Sequence, residues 1–311
     1  PRLETAVGAL RIGAVDYISK PIELVHLHKA VARGLQTTRL ARVRRVALEK
    51  QVAGLPAADG DPFLELGFDH ALEQLWVAYQ PIVTREGESY GYEALLRSRA
   101  TGFESPLTIL AAAEKLKRVR DVETHVHSMA ATQAGDEPAS GFLFVNVHPQ
   151  ALFDDTLLDA HTYLRSIAGR VVLEITEREA LSGRADVALR VQELRSSGFR
   201  IAIDDLGAGY AGLTTFAMLE PDIVKIDIGL VRGVDASRTK QKVIASITAL
   251  SHDLGILALA EGVETLEELQ ALRAIGCDLF QGYLLGRPAP PFSDFRWPVG
   301  RDGSLRRTGT D

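Results

Sequence analysis

The chain has 311 residues, 46% apolar and 24% charged, which fits one or two soluble globular domains and excludes a fibrous or disordered chain. No apolar run is long enough to cross a bilayer and no leader-like segment opens the sequence, so a cytoplasmic setting without membrane contact is expected. The net charge of −6 weighs against broad nucleic-acid binding, so no DNA partner is expected; the single cysteine, Cys277, leaves no intrachain disulfide to form and reads as a small buried hydrophobe.

The sequence opens on Pro1, so the natural start is expected upstream. Residues 1–35 read as a small unit: a helix to about residue 12, a strand over 15–19, Lys20-Pro21, and a helix carrying Ile22, Val25, Leu27, Val31 and Leu35. Residues 36–64 hold a basic helix with Arg39, Arg42, Arg44, Arg45 and Lys50, read as a solvated connector, and a linker broken by Pro56, Gly60 and Pro62. A larger domain is expected over 65–293, with 294–311 as a C-terminal tail. There, apolar runs at 91–96, 142–147, 171–175, 200–204, 223–227, 256–260 and 278–281 alternate with helical stretches at 186–197, 240–254 and 266–275. The helix over 266–275 has a capping box, Thr265 with Glu268, and Gly276 past its end. The helix over 240–254 is expected to bury Val243, Ile244, Ile247, Leu250 and Leu254 and to stop at Gly255. Strands alternating with helices predict a largely parallel sheet, and seven or eight such units fit an α/β fold of the TIM-type (β/α) barrel class. An open doubly wound sheet is the competing architecture.

Nearly every apolar run carries a polar residue that a core would reject. These are Glu93, Asn146, Glu174, the adjacent Asp204 and Asp205, Lys225 with Asp227, Glu261 and Gln281. In a (β/α) barrel the C-terminal strand ends meet at one mouth, so residues far apart in sequence would converge there. Successive strand residues point to opposite faces, so Asp204 and Asp205 can share a site only where their strand is ending. Five carboxylates in one mouth repel strongly unless some are protonated or cations lie among them. Oxygen donors without clustered histidine or cysteine favour Mg²⁺ or Mn²⁺ over zinc. Paired aspartates could bridge two ions, the arrangement used for phosphoester hydrolysis. Lys225 either helps to position a water and stabilise charge or forms a structural salt bridge.

The histidines add little: His26/His28 and His125/His127, each two residues apart, are read as surface residues, and His148 as a packing or hydrogen-bonding residue. Gly207, Gly209 and Gly212 match the dinucleotide fingerprint G-x-G-x-x-G after a strand, with Asp227 about 20 residues on. Asp204 and Asp205 would repel a pyrophosphate there, so these glycines are read instead as shaping a mobile loop beside the acidic cluster.

Tyr92-Glu93-Ala94-Leu95-Leu96-Arg97 resembles the signature of the EAL-domain cyclic di-GMP phosphodiesterases. The resemblance runs from Tyr79-Gln80-Pro81-Ile82 to Gln281-Gly282-Tyr283-Leu284-Leu285-Gly286-Arg287-Pro288, with its motifs in order. It implies metal-dependent opening of cyclic di-GMP to linear pGpG, with two Mg²⁺ or Mn²⁺ ions per site and a homodimer formed through the barrel. It implies Glu93, Asn146, Glu174 and Asp204 around one ion, and Asp204, Asp205 and Glu261 at the second. Lys225 would help activate the attacking water. Gln80 and Arg97 would contact the dinucleotide, Gln281 would lie at the outer edge of the site, Glu264 would be a further acidic position, and Glu177 would anchor the loop after the paired aspartates. That loop departs from the family pattern at Leu206, Ala211 and Gly212, where a phenylalanine and two serines are usual; the change puts loop rigidity and dimer coupling in question more than metal binding. Residues 13–21 resemble the last strand of a response-regulator receiver domain, with Lys20 at its phosphate-contacting position and the phosphoacceptor expected upstream. Two other readings stay open: a cyclic di-GMP receptor without turnover, and a scaffold whose front segment docks an upstream signalling partner.

Overall fold

The computed structural model describes residues 62–136, 141–148, 152–153, 155–159, 161–176, 185–206, 219–295 and 297–298. The receiver-like unit with its basic helix, Glu177, and the glycine loop after Leu206 lie outside these residues.

Eight strands close into a barrel in the order β1 to β8. They are β1 (Leu75–Thr84), β2 (Ser89–Ser98), β3 (Phe142–Asn146), β4 (Val171–Thr176), β5 (Arg200–Leu206), β6 (Ile223–Ile226), β7 (Leu257–Ala260) and β8 (Leu279–Gln281). Strands β2 to β8 run parallel, whereas β1 is antiparallel to both neighbours, β2 and β8. The expected TIM-type barrel therefore holds with one reversal. Strand β1 falls in no apolar run of the sequence reading, because Gln80 and Pro81 interrupt it. Its proline is tolerated where the register against β2 is about to shift, between Ile82 and Val83.

Inside the barrel, Ile82, Phe144, Val172, Ala202, Ile223, Leu259 and Leu279 pack as one plug, against which Tyr90, Phe142 and Leu257 are partly buried. Arg200 lies 4.1 Å over the Phe142 ring and donates to the Tyr90 hydroxyl, closing the end opposite the mouth with its charge satisfied. The interior is thus a filled core, and chemistry has room only at the rim.

Outside, α1 (Pro62–Glu73), α2 (Pro106–Leu116), α3 (Val119–Asp136), α4 (Ala185–Ser196), α5 (Arg238–Asp253) and α6 (Leu266–Ile275) cover the strands. The β1–β2 hairpin has no crossover helix of its own, and its outer face is shared between α3 and the segment after β8. The Tyr79 hydroxyl donates to Gln133 of α3, while the Phe292 ring packs tilted against Tyr79 and edge-on to Tyr92, with centroids 4.6 and 5.2 Å away. Trp297 packs near Phe280 and against Gly87 of the hairpin turn, so this covering runs past residue 293.

On α5, Ile244 is buried and Ile247 packs partly buried against the core as expected, joined by Thr248 and Ser251, whereas Val243 and Leu254 are exposed, which corrects the expected face at those two positions. Ser251 satisfies its hydroxyl on the Ile247 carbonyl and Thr248 lies 3.7 Å from the Cys277 sulfur, so two small polar residues are buried without loss. Helix α6 begins with the expected capping box and ends at Gly276 in the left-handed region.

Candidate active site

Register brings the singled-out residues to one rim. Gln80 stands beside Glu93 across β1 and β2, Ile82 beside Gln281 across β1 and β8, Asn146 beside Glu174 across β3 and β4, and Thr176 beside Asp204 across β4 and β5. Lys225 projects from β6, and Glu261 follows the last residue of β7.

Lys225 is the centre. Its ammonium lies 2.6 Å from Glu174, 2.7 Å from Glu261, 3.2 Å from Asp204 and 3.8 Å from Glu93. The Lys225 and Glu174 side chains are fully buried, and Glu93 nearly so. Glu93 is held on both oxygens: Asn146 Nδ2 donates to one at 3.0 Å and Gln281 Nε2 to the other at 2.6 Å. Gln281 also donates to Gln80 Oε1, and Gln80 in turn donates to the Gly286 carbonyl. Gln281 is only 3% exposed and touches Glu93, so it sits deeper than the outer edge expected for it.

Asp204 and Asp205 escape strand alternation by a backbone device. The β5–β6 register shifts between Ile203 and Leu206, and Asp205 has φ of 58°, a left-handed conformation that aspartate tolerates better than most residues. One carboxylate oxygen each from Asp204, Asp205 and Glu261 then lie within 4.8 Å of one another.

Four carboxylates around one ammonium leave an excess of negative charge. Burial alone would lower the Lys225 pKa, but Glu174, Glu261, Glu93 and Asp204 together hold it well above the usual lysine range, so it stays charged. Glu174 is raised well above the carboxylate range by burial and by Glu93, against the pull of Lys225. Glu261 is pushed up to about 8, first by burial, with Asp204 and Glu93 adding to it and Lys225 opposing. Glu174 Oε1 is taken up by the Lys225 ammonium, which leaves Glu174 Oε2 and Gln281 Oε1 buried without a hydrogen-bond partner. A fully buried carboxylate oxygen without a partner, beside the cluster of Asp204, Asp205 and Glu261, fits hard divalent cations, which would satisfy it and offset the excess negative charge.

The EAL domain family matches residues 68–288 of the chain. The chain belongs to the EAL domain family. This EAL domain is 32% identical over 236 residues to a probable cyclic di-GMP phosphodiesterase, PdeN, of Escherichia coli strain K12, covering 72% of the chain and 45% of that protein. Among solved structures, a PaMucR phosphodiesterase in complex with c-di-GMP superposes with a TM-score of 0.67 at 30% identity, covering 73% of the chain and 98% of that one. A manganese and c-di-GMP complex of Klebsiella pneumoniae BlrP1 gives 0.64 at 36% identity, covering 70% and 56%. The chain spans less than half the length of the curated relatives it matches first.

Glu93, Asn146, Glu174, Asp204, Asp205, Lys225, Glu261, Gln80 and Gln281 thus come together at the rim of the EAL barrel. Two expected residues stand apart from the Lys225 cluster: Arg97 donates to the Leu96 carbonyl, and Glu264 pairs with Arg232. Two others were hidden from the sequence reading. Glu123 and His127 of α3 hold the end of β3: Glu123 accepts from the His148 backbone N–H, and His127 Nε2 contacts the Asn146 carbonyl. His127 is buried, which corrects the surface reading, and burial lowers its pKa. Pairing His127 with His125 concealed the informative spacing, the four residues from Glu123 that put both on one helix face. His148 does take a hydrogen-bonding role, on Glu114.

Proposed function

We propose that this EAL domain hydrolyses cyclic di-GMP to linear pGpG with Mg²⁺ or Mn²⁺. The observation that carries the reading is the buried Lys225 ringed by Glu93, Glu174, Asp204 and Glu261, with Asp205 beside them at the rim. Glu93, Asn146, Glu174 and Asp204 would hold one ion, and Asp204, Asp205 and Glu261 a second. Such ions lower the pKa of a water and neutralise charge on the phosphate. Asn146 and Gln281 fix the orientation of Glu93, and Lys225 supplies a positive charge, held in place by its neighbours, towards the reacting phosphate. Gln80 and Gln281, already hydrogen-bonded to each other, would present amide groups to the dinucleotide. A homodimer through the barrel, in the cytoplasm and under an upstream signalling partner, completes the reading.

Purified protein supplied with cyclic di-GMP and Mn²⁺ is expected to yield pGpG, resolved by chromatography. Glu93→Ala is expected to abolish the product, and EDTA to do the same in the wild type. Binding of cyclic di-GMP without product under either ion would replace this reading with that of a receptor.

A further inference from the structure

Glu261 is carried by a short loop, residues 261–265, between β7 and α6. Besides the Glu261 N–H, which donates to the Ile226 carbonyl at 3.2 Å and continues the β6–β7 pairing, three neighbours hold this loop. On one side, Val263 donates to the Gln281 carbonyl and accepts from the Leu284 N–H. On the other, Gly262 lies against Ile228, where a Cβ would stand 2.4 Å from the Ile228 side chain. The third is a carboxylate. Glu268 is 3% exposed and accepts three backbone N–H groups: Gly233 on one oxygen at 2.8 Å, and Glu264 and Thr265 on the other at 3.0 and 3.1 Å. Gly233 follows β6, the strand that carries Lys225. One charged group therefore ties the segment after β6 to the loop after β7. Arg232 paired with Glu264 adds a more exposed second tie between the same two segments.

A capping box needs Glu268 to reach only the N-cap N–H of its own helix. The bond to Gly233, 35 residues away, does nothing for the helix. We propose that Glu268 is a positioning residue for the candidate active site: it fixes the Glu261 loop relative to the segment following Lys225, so that the two groups meet at 2.7 Å. This rests on the hydrolytic reading of the site. Charge-assisted bonds to three backbone donors suit the task because they are roughly twice as strong as neutral ones and leave the loop little freedom.

Glu268→Gln keeps the shape but turns one acceptor oxygen into an NH₂ donor, so either Gly233 or the Glu264–Thr265 pair loses its acceptor. Thr265→Ala removes the other half of the capping box and leaves Glu268 with Gly233. Wild type and both variants are compared by steady-state hydrolysis of cyclic di-GMP and by the rise in Tm that Mn²⁺ produces. Glu268→Gln is expected to lose roughly ten- to a hundredfold in kcat, the scale of a small misplacement of a reacting group, with KM within about twofold. Its Mn²⁺-dependent rise in Tm is expected to shrink. Thr265→Ala is expected to lower Tm but to keep both kcat and the Mn²⁺ response. Unchanged kcat and Mn²⁺ response in Glu268→Gln would overturn the proposal, as would equal losses of both in Thr265→Ala, which would reduce Glu268 to a helix cap. If the wild type turns over no cyclic di-GMP, the hydrolytic reading fails by itself, and the Mn²⁺ response of the three proteins still decides the role of Glu268.

Discussion

Lys225 and Cys277 are both buried on the barrel, and their surroundings set opposite demands. Lys225 is the only positive group in contact with Glu93, Glu174, Asp204 and Glu261 among the described residues. Lys225→Met leaves these carboxylates uncompensated, and removing one partner of a buried ion pair costs about 3–5 kcal/mol. A loss of that size is expected in urea unfolding with EDTA present, together with roughly a hundred- to a thousandfold fall in hydrolysis. Cys277 is fully buried with its sulfur beside the Thr248 hydroxyl, and burial pushes its thiol up to about 11. Native protein at pH 8 is therefore expected to react with a thiol reagent only as fast as it unfolds, whereas denaturant exposes the sulfur at once; rapid labelling of native protein would contradict the burial. The sequence pointed to both residues for sound reasons, a lysine in an apolar run and a lone cysteine. What it could not show was that four carboxylates share one ammonium, because that depends on how far each strand is staggered against the next.

Among the elements, α6 and its preceding loop were the most legible. Thr265, Glu268 and Gly276 state where the helix starts and stops, and the cap formed as read. Thr265→Ala is expected to destabilise by about 1 kcal/mol, measured by denaturant unfolding. The same carboxylate gives a pH signature. Burial would raise the Glu268 pKa, but its bonds from Gly233, Glu264 and Thr265, with Arg232 nearby, bring it below the ordinary 4.5. A depressed folded pKa contributes stability that is complete above the unfolded value and is lost as pH falls through the folded one. The stability difference between wild type and Glu268→Gln is thus expected to be constant above about pH 4.5 and to narrow below it. Strand β1 and the face of α5 were less legible. Pro81 broke the apolar run of β1, and counting only aliphatic residues on α5 passed over Thr248 and Ser251, which bury their hydroxyls with partners. The shared orientation of Asp204 and Asp205 was posed correctly as a question, and a positive φ at Asp205 answers it.

For the whole molecule, alternation of strand and helix pointed to a parallel sheet, since parallel strands need crossovers, but closure rather than an open doubly wound sheet is settled by β1, the one antiparallel strand, which pairs with both β2 and β8. If ions occupy the acidic rim, they bind the folded chain and not the unfolded one. Saturating Mn²⁺ at about a hundred times its Kd is then expected to add about 2.7 kcal/mol and raise Tm, and Asp205→Asn to reduce that rise. The reversal of β1 has its own consequence. Leu75 pairs with Ser98, so β1 starts beside the end of β2, at the rim, and its hairpin with β2 turns at the floor. In a barrel of uniformly parallel strands the leading strand would begin at the floor, a full strand length from the chemistry. Here the helix that leads into β1 joins the barrel on the reactive side, five residues before Gln80, which stands two hydrogen bonds from Glu93.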